Sequence, residues 1–314
     1  MALLAFLPFL GVAVLANFGA ENRTARWLTY AMLNGLNLTM IFGGLLTLLG
    51  SLMGSPQMSS ANAAVSLVLT GTLASLLLLS GVRRLLARWL DIDPDSSVHT
   101  TALVFAVYFV GLTVFQLQII GDLSQLALPE SRLAWWDVVF GSVPLLLVAL
   151  AGVGLGLRRN WRETAERLGL GKISARQMGV VAGAVLGLLA LDYGVLWFWA
   201  RVDPVGHAFF GGITANLFAD LTAPGTALLV SLAAGITEEV LFRGALQPRF
   251  GLWLTAALFA TGHFQYGLSL ATLEVLVIGL LLGVLRQRTN TTACILVHLA
   301  YNFFDLILLP VFPY

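Results

Sequence analysis

The chain has 314 residues, of which 58% are hydrophobic and 11% charged, with a formal net charge of +1 and a mean hydropathy of +0.89. A soluble globule of that composition would expose large apolar surfaces, so the sequence excludes one and predicts an all-α, polytopic transmembrane helix bundle. The small net charge and short basic runs speak against a nucleic-acid partner, and a single cysteine, Cys294, excludes an intramolecular disulfide.

A hydrocarbon core of about 30 Å takes about 20 helical residues per crossing. On that measure about ten spans are expected, at 2–20, 28–53, 62–82, 101–121, 137–157, 178–200, 225–247, 251–267, 270–286 and 291–312. No basic residue precedes the first run, and Arg23 and Arg26 follow it, so it reads as an uncleaved helix rather than a secretory signal. Residues 1–157 form an N-terminal five-helix membrane region with almost no charge inside its runs. Nothing in that region suggests chemistry.

Residues 158–177, RRNWRETAERLGLGKISARQ, break the apolar pattern. Trp161, Ala165 and Leu168 recur at helical spacing opposite charged positions, which predicts an amphipathic linker lying on anionic lipid. A second membrane domain follows over 178–314. Within it, residues 201–224 contain Pro204, Gly206, Gly211, Gly212 and Pro224 and read as an outer loop or re-entrant segment. With alternating spans, 15 of the 17 basic residues fall on one side and only Arg132 and Arg201 on the other. The positive-inside rule then places 158–177 and 286–290 in the cytoplasm and both termini outside, in the cell membrane.

Ionisable groups inside a membrane span are costly and usually functional. The sequence Glu238-Glu239-Val240-Leu241-Phe242-Arg243 puts three in one apolar run. Glu239 and Arg243 share a helical face and can form an ion pair. Glu238 is rotated by about 100° and can point into a cavity as a base. A purely structural salt-bridge cluster is the competing reading. His263 ends Phe259-Ala260-Thr261-Gly262-His263, where a hydrogen-bonded packing role competes with a functional one. In His298-Leu299-Ala300-Tyr301-Asn302, imidazole and carboxamide lie four apart and can both donate to a developing oxyanion. Asp305 lies near that face and can orient its neighbours or mark the outer end of a polar cavity. Helix-depth arithmetic favours a cavity open to the cytoplasm.

EEVLFR resembles the EExxxR motif, FATGH the FxxxH motif and HLAYN the HxxxN motif of the CAAX protease and bacteriocin-processing (CPBP) family, in the family's order. The resemblance covers about residues 158–310 and leaves the first five helices unexplained. It implies an intramembrane glutamate endopeptidase related to the type II CAAX prenyl proteases. On that model Glu238 activates a water with help from His263, His298 and Asn302 stabilise the tetrahedral intermediate, and Glu239 and Arg243 position the first carboxylate. The expected partners are the lipid bilayer and a membrane-associated peptide or protein, prenylated or not.

No cofactor is expected. Zinc at Glu238, His263 and His298 is the less favoured alternative, because two histidines and a glutamate are a known ligand set, yet the chain lacks HExxH. Two other functions explain part of the pattern. An ion- or proton-coupled transporter or sensor accounts for the buried charges but not for the order of the motifs. A non-proteolytic scaffold or immunity protein accounts for the fold but not for the filling of every motif position.

Overall fold

The structure, a computed structural model, describes residues 2–53 and 61–309. Among them the regular elements are helices and no strand forms. A helix satisfies its own backbone hydrogen bonds, as a hydrocarbon interior demands. The first half holds α1 (Ala2–Phe18), α2 (Arg23–Leu52), α3 (Ala61–Leu76), α4 (Ser80–Leu86), α5 (Ser97–Ile120) and α6 (Trp135–Gly152). A short α7 (Trp161–Leu168) leads to α8 (Ala175–Val202), α9 (Pro204–Leu217), α10 (Pro224–Glu239), α11 (Gln247–Thr261), α12 (Leu270–Arg288) and α13 (Thr291–Leu308). A π-helical turn, Val240–Leu246, joins α10 to α11.

Every predicted run lies on a helix, but the lengths differ from expectation. Seven helices among the described residues are long and apolar enough to cross a membrane, or eight if the bent pair α3 and α4 is one span. The run at 62–82 bends by 88° between those two helices. The break frees backbone carbonyls, and the buried Arg83 donates to Leu77 O at 2.9 Å, Leu78 O at 2.6 Å and Pro94 O at 2.6 Å. An arginine that the sequence places in a loop thus holds a kink together. The run at 291–312 ends beyond α13, and its residues 310–312 lie outside the described ones.

The helical stretch Pro224–Thr261 is continuous in hydrogen bonding but contains Gly251 at φ 74° and ψ 179°, a conformation open to glycine and strained for other residues. Phe242 and Phe259 lie on opposite sides of it, with ring centroids 5.4 Å apart. On one straight helix their Cα atoms would be separated by about 25 Å. The chain therefore folds back at Gly251. The two separate runs at 225–247 and 251–267 correspond to its two limbs.

Small residues let the helices of the second half approach closely. At Gly235, α10 meets α13 so tightly that a Cβ would sit 3.1 Å from Leu299 N. On α12, Gly279 and Gly283 face the folded-back segment, and Gln247 Nε2 donates to Gly283 O at 2.8 Å. A Cβ at Gly283 would lie 2.3 Å from Leu252 Cδ1. Gly235→Val is expected to push α10 off α13, because the obstacle is backbone and cannot rotate away. A loss of about 1–3 kcal/mol is expected, the usual cost of overpacking. Thermal unfolding in detergent measures it, and an unchanged Tm would mean that the helices separate freely.

Candidate active site

Glu239 ends α10 and Arg243 lies in the π turn rather than on one continuous α-helix, and the structure pairs them. Arg243 Nη1 donates to Glu239 Oε1 at 2.9 Å, with side-chain exposures of 1% and 0%. Burying such a pair is costly, and further hydrogen bonds offset part of that cost. Arg243 Nη2 accordingly donates to Gly279 O at 3.2 Å. His298 Nδ1 lies 2.8 Å from the same Glu239 Oε1, so this oxygen accepts from two helices' side chains at once.

Phe259, the first residue of the FATGH motif, is the common wall of the cluster. The Arg243 guanidinium lies 4.3 Å from its ring centroid. The His263 ring is 5.0 Å away and the His298 ring 5.9 Å. A guanidinium over an aromatic face gains a cation–π contact that increases when water is excluded. The motif spelling had marked Phe259, yet its role depends on the fold-back at Gly251 and could not be read from spacing.

His263 sits just past the end of α11, with Nδ1 3.0 Å from Phe259 O. A carbonyl can only accept, so Nδ1 carries the proton and Nε2 of the neutral ring presents a lone pair. The ring stacks on Tyr266 at 6.5 Å with planes 6° apart. His298 has the complementary constraint. Its Nδ1–H is spent on Glu239, so only Nε2 remains for another partner, and Nε2 donates only when the ring is an imidazolium. The sequence treats His298 as an unencumbered donor beside Asn302, and the tether to Glu239 narrows that expectation.

Glu238 and Asn302 stand outside the ion-pair network and are both half-buried. Asn302 lies four residues after His298 on α13. Among the described residues no three His, Cys, Asp or Glu side chains are grouped to hold a metal ion. Nδ1 of His263 and of His298, two members of the set weighed for zinc with Glu238, is engaged by Phe259 O and Glu239, which leaves Nε2 of each ring as the nitrogen open to another partner.

Residues 220–304 match the family model described as type II CAAX prenyl endopeptidase Rce1-like. The chain is also 34% identical over 149 residues to YpbD of Bacillus subtilis (strain 168), a protein described as uncharacterized; the match covers 46% of this chain and 74% of that protein. The chain belongs to the Rce1-like family. No solved structure matches it. The Rce1-like segment contains Glu238, Glu239, Arg243, His263, His298 and Asn302, and it leaves α1 to α9 outside.

Two features of this Rce1-like chain escaped sequence reasoning. The first is the clamp on the π turn. Arg167 of α7 donates through Nη1 to Gly244 O at 3.1 Å and through Nη2 to Ala245 O at 3.3 Å. Leu168 packs where a Cβ on Gly244 would be 2.9 Å from its Cδ2. Thr291 Oγ1, at the start of α13, donates to Leu168 O at 2.5 Å. The surface helix α7 therefore bridges the turn carrying Arg243 and the helix carrying His298. Burial, with Arg249, Arg159 and Arg286 nearby, pushes the Arg167 guanidinium down to about 10.

Arg167→Gln is expected to destabilise the protein by about 1–3 kcal/mol, the range for a charged hydrogen bond lost from a partly buried site. Arg167→Lys keeps one donor point and should lose less. Unfolding temperatures of the two variants check the order, and equal losses would contradict a two-carbonyl grip.

The second feature is a set of acids on three helices. Asp192 on α8 and Glu274 on α12 are 5% and 8% exposed and line a cavity together with Asp305 of α13. The signal was present as lone acids inside apolar runs. Neither Asp192 nor Glu274 has a motif neighbour that would single it out.

Proposed function

We propose that the protein is an intramembrane endopeptidase that hydrolyses a peptide bond in a membrane-associated protein or peptide, with Glu238 activating the attacking water. The observation that carries this reading is the division of labour between the paired glutamates. Glu239 is fully buried and held by Arg243 and His298, whereas Glu238 is half-buried beside them and outside the ion pair. A structural salt bridge needs one carboxylate. The second is left to act as a base.

In the proposed reaction the Glu238 carboxylate takes a proton from water while His263 Nε2 accepts the water's other hydrogen bond and fixes its direction. The water oxygen adds to the scissile carbonyl. The resulting oxyanion is met by His298 Nε2–H and the Asn302 amide, in the manner of an oxyanion hole. Collapse breaks the C–N bond, and Glu238 returns its proton to the departing amine. Glu239 does no chemistry; it orients His298 and keeps its imidazolium form neutralised.

The expected substrate class is the prenylated CAAX-type C-terminus, on the strength of family membership. The site is expected to open to the cytoplasm. Arg159, Arg249 and Arg286 lie near Arg167, and basic residues favour the cytoplasmic side. The five-helix region over 1–157 is then an addition to a catalytic domain over 178–314, with 158–177 between them.

The test is cleavage by protein reconstituted in nanodiscs, using a farnesylated peptide ending in a CAAX sequence and its unprenylated counterpart. Release of the C-terminal fragment by the wild type and none by Glu238→Ala is the expected outcome. Equal cleavage by a correctly folded Glu238→Ala protein would sink the assignment.

A further inference from the structure

We propose that Phe109 of α5 is a positioning residue for the reaction: its ring seats Gly262 and thereby fixes the imidazole of His263. The inference rests on the endopeptidase reading above. It gives a task to an N-terminal region that lies outside the Rce1-like segment, residues 220–304.

Gly262 follows α11 at φ −64° and ψ −14°, an ordinary right-handed conformation that any residue adopts. Its lack of a side chain is therefore a matter of space. A Cβ there would lie 3.1 Å from Phe109 Cζ, 3.3 Å from Phe259 O and 3.8 Å from Phe109 Cε1. Carbon atoms in comfortable contact are about 3.5–4.0 Å apart. The Phe109 ring thus rests on the backbone of the residue just before His263.

The local bonds at that point are weak. Gly262 N is shared between Leu258 O at 3.3 Å and Phe259 O at 3.2 Å, and His263 N donates to Ala260 O at 3.0 Å. Beyond them the chain passes through the short turn Phe264–Tyr266 and Gly267, at φ 54°, before α12 begins. Helix ends of this kind fray, whereas a group that directs the attacking water has to be held within about 0.5 Å of its productive place. A ring delivered by a neighbouring helix supplies the support that the helix end lacks.

The same ring also reaches the neighbour of Arg243. Phe109 meets Phe242 edge to face with centroids 6.3 Å apart, and Phe242 meets Phe259 in the same manner at 5.4 Å. Phe259 is the wall shared by Arg243, His263 and His298. Near the starts of α5 and α11, Arg249 Nη1 holds Asp91 Oδ2 at 2.8 Å and ties the loop before α5 to α11. One side chain of α5 therefore buttresses the Rce1-like segment at two points, beside Arg243 and beside His263.

Two measurements on the full-length protein in nanodiscs test this, with Phe109→Leu, Gly262→Ala and the two combined. Leucine withdraws the ring, the alanine methyl forces ring and backbone apart, and in the paired variant the methyl takes up part of the space that the ring has left. The first measurement is cleavage kinetics. Phe109→Leu is expected to lower kcat by about 10–100-fold, the scale of a displacement of about 1 Å, and Gly262→Ala to lower it less, with KM little changed in both. The paired variant should regain part of the loss. The second is the rate at which diethyl pyrocarbonate modifies His263, read by mass spectrometry, which needs no substrate. It should rise several-fold in each single variant and fall back toward the wild-type rate in the pair.

Wild-type kcat and wild-type His263 reactivity in Phe109→Leu, folded at the assay temperature, overturn the proposal. A paired variant whose losses are the product of the single ones does the same, because independent sites add in free energy and the two residues would then not act as one contact. If Phe109→Leu does not fold, Gly262→Ala decides: unchanged His263 reactivity in that variant overturns the positioning role. Failure of the wild type to cleave any peptide defeats the endopeptidase reading, while the reactivity of His263 still decides whether Phe109 fixes that ring.

Discussion

Glu238→Gln is expected to lower the cleavage rate by about 10²–10⁴-fold, the contribution of a positioned general base, without lowering Tm. The amide is nearly the shape of the carboxylate but cannot take a proton from water. Glu238 is half-buried and outside the ion pair, so nothing in the fold loses a partner. Glu239→Gln should lower Tm together with the rate. Its Oε1 accepts from both Arg243 and His298, and a neutral amide leaves the buried Arg243 guanidinium without a counter-charge and His298 Nδ1 without its carboxylate. Single-turnover cleavage and thermal unfolding, run on both variants, separate the two carboxylates. Loss of Tm in Glu238→Gln comparable to that in Glu239→Gln would mean that the pair is structural throughout.

Much of this architecture is local and so was open to reading from the sequence. Each apolar run became a helix because hydrocarbon offers the backbone no other partner. The Glu239–Arg243 pair followed from i,i+4 spacing, and the division into two limbs from the gap between the runs ending at 247 and starting at 251. What stayed hidden depends on contacts between distant segments. His298 meets Glu239 across 59 positions of sequence, and Arg167 reaches Gly244 across 77. Spacing along one helix fixes a face but not which neighbouring helix that face meets, nor at what height.

Arg83 and Arg167 show a further limit of reading charge by location. Both belong to basic runs that the positive-inside rule treats as solvated. Arg83 is instead buried at 4% exposure against two carbonyls of a broken helix and a third, Pro94 O, in the following loop. Arg167 caps carbonyls of the π turn. In each case an irregular backbone leaves oxygen atoms unpaired, and a guanidinium, with its five donors, is the side chain able to satisfy several at once. Backbone irregularity is not written in hydropathy. The charge that repairs it therefore looks like any other.

Arg243 is where stability and chemistry can be pulled apart. Arg243→Ala is expected to cost about 3–5 kcal/mol, since it strands the fully buried Glu239 carboxylate beside one remaining donor. Arg243→Lys keeps the charge but can no longer reach Glu239 Oε1 and Gly279 O together, nor lie flat over Phe259. It should fold more stably than the alanine variant, with kcat reduced and KM little changed, because the group disturbed is the one that orients His298. The paired replacement Glu239→Met with Arg243→Met removes both charges and retains volume. Such exchanges are often neutral or stabilising in a protein interior, so Tm should recover. Activity should not, because His298 Nδ1 then has no carboxylate to hold it and its imidazolium no counter-charge. Recovery of cleavage along with Tm in the paired variant would reduce the Glu239–Arg243 pair to packing and remove it from the mechanism.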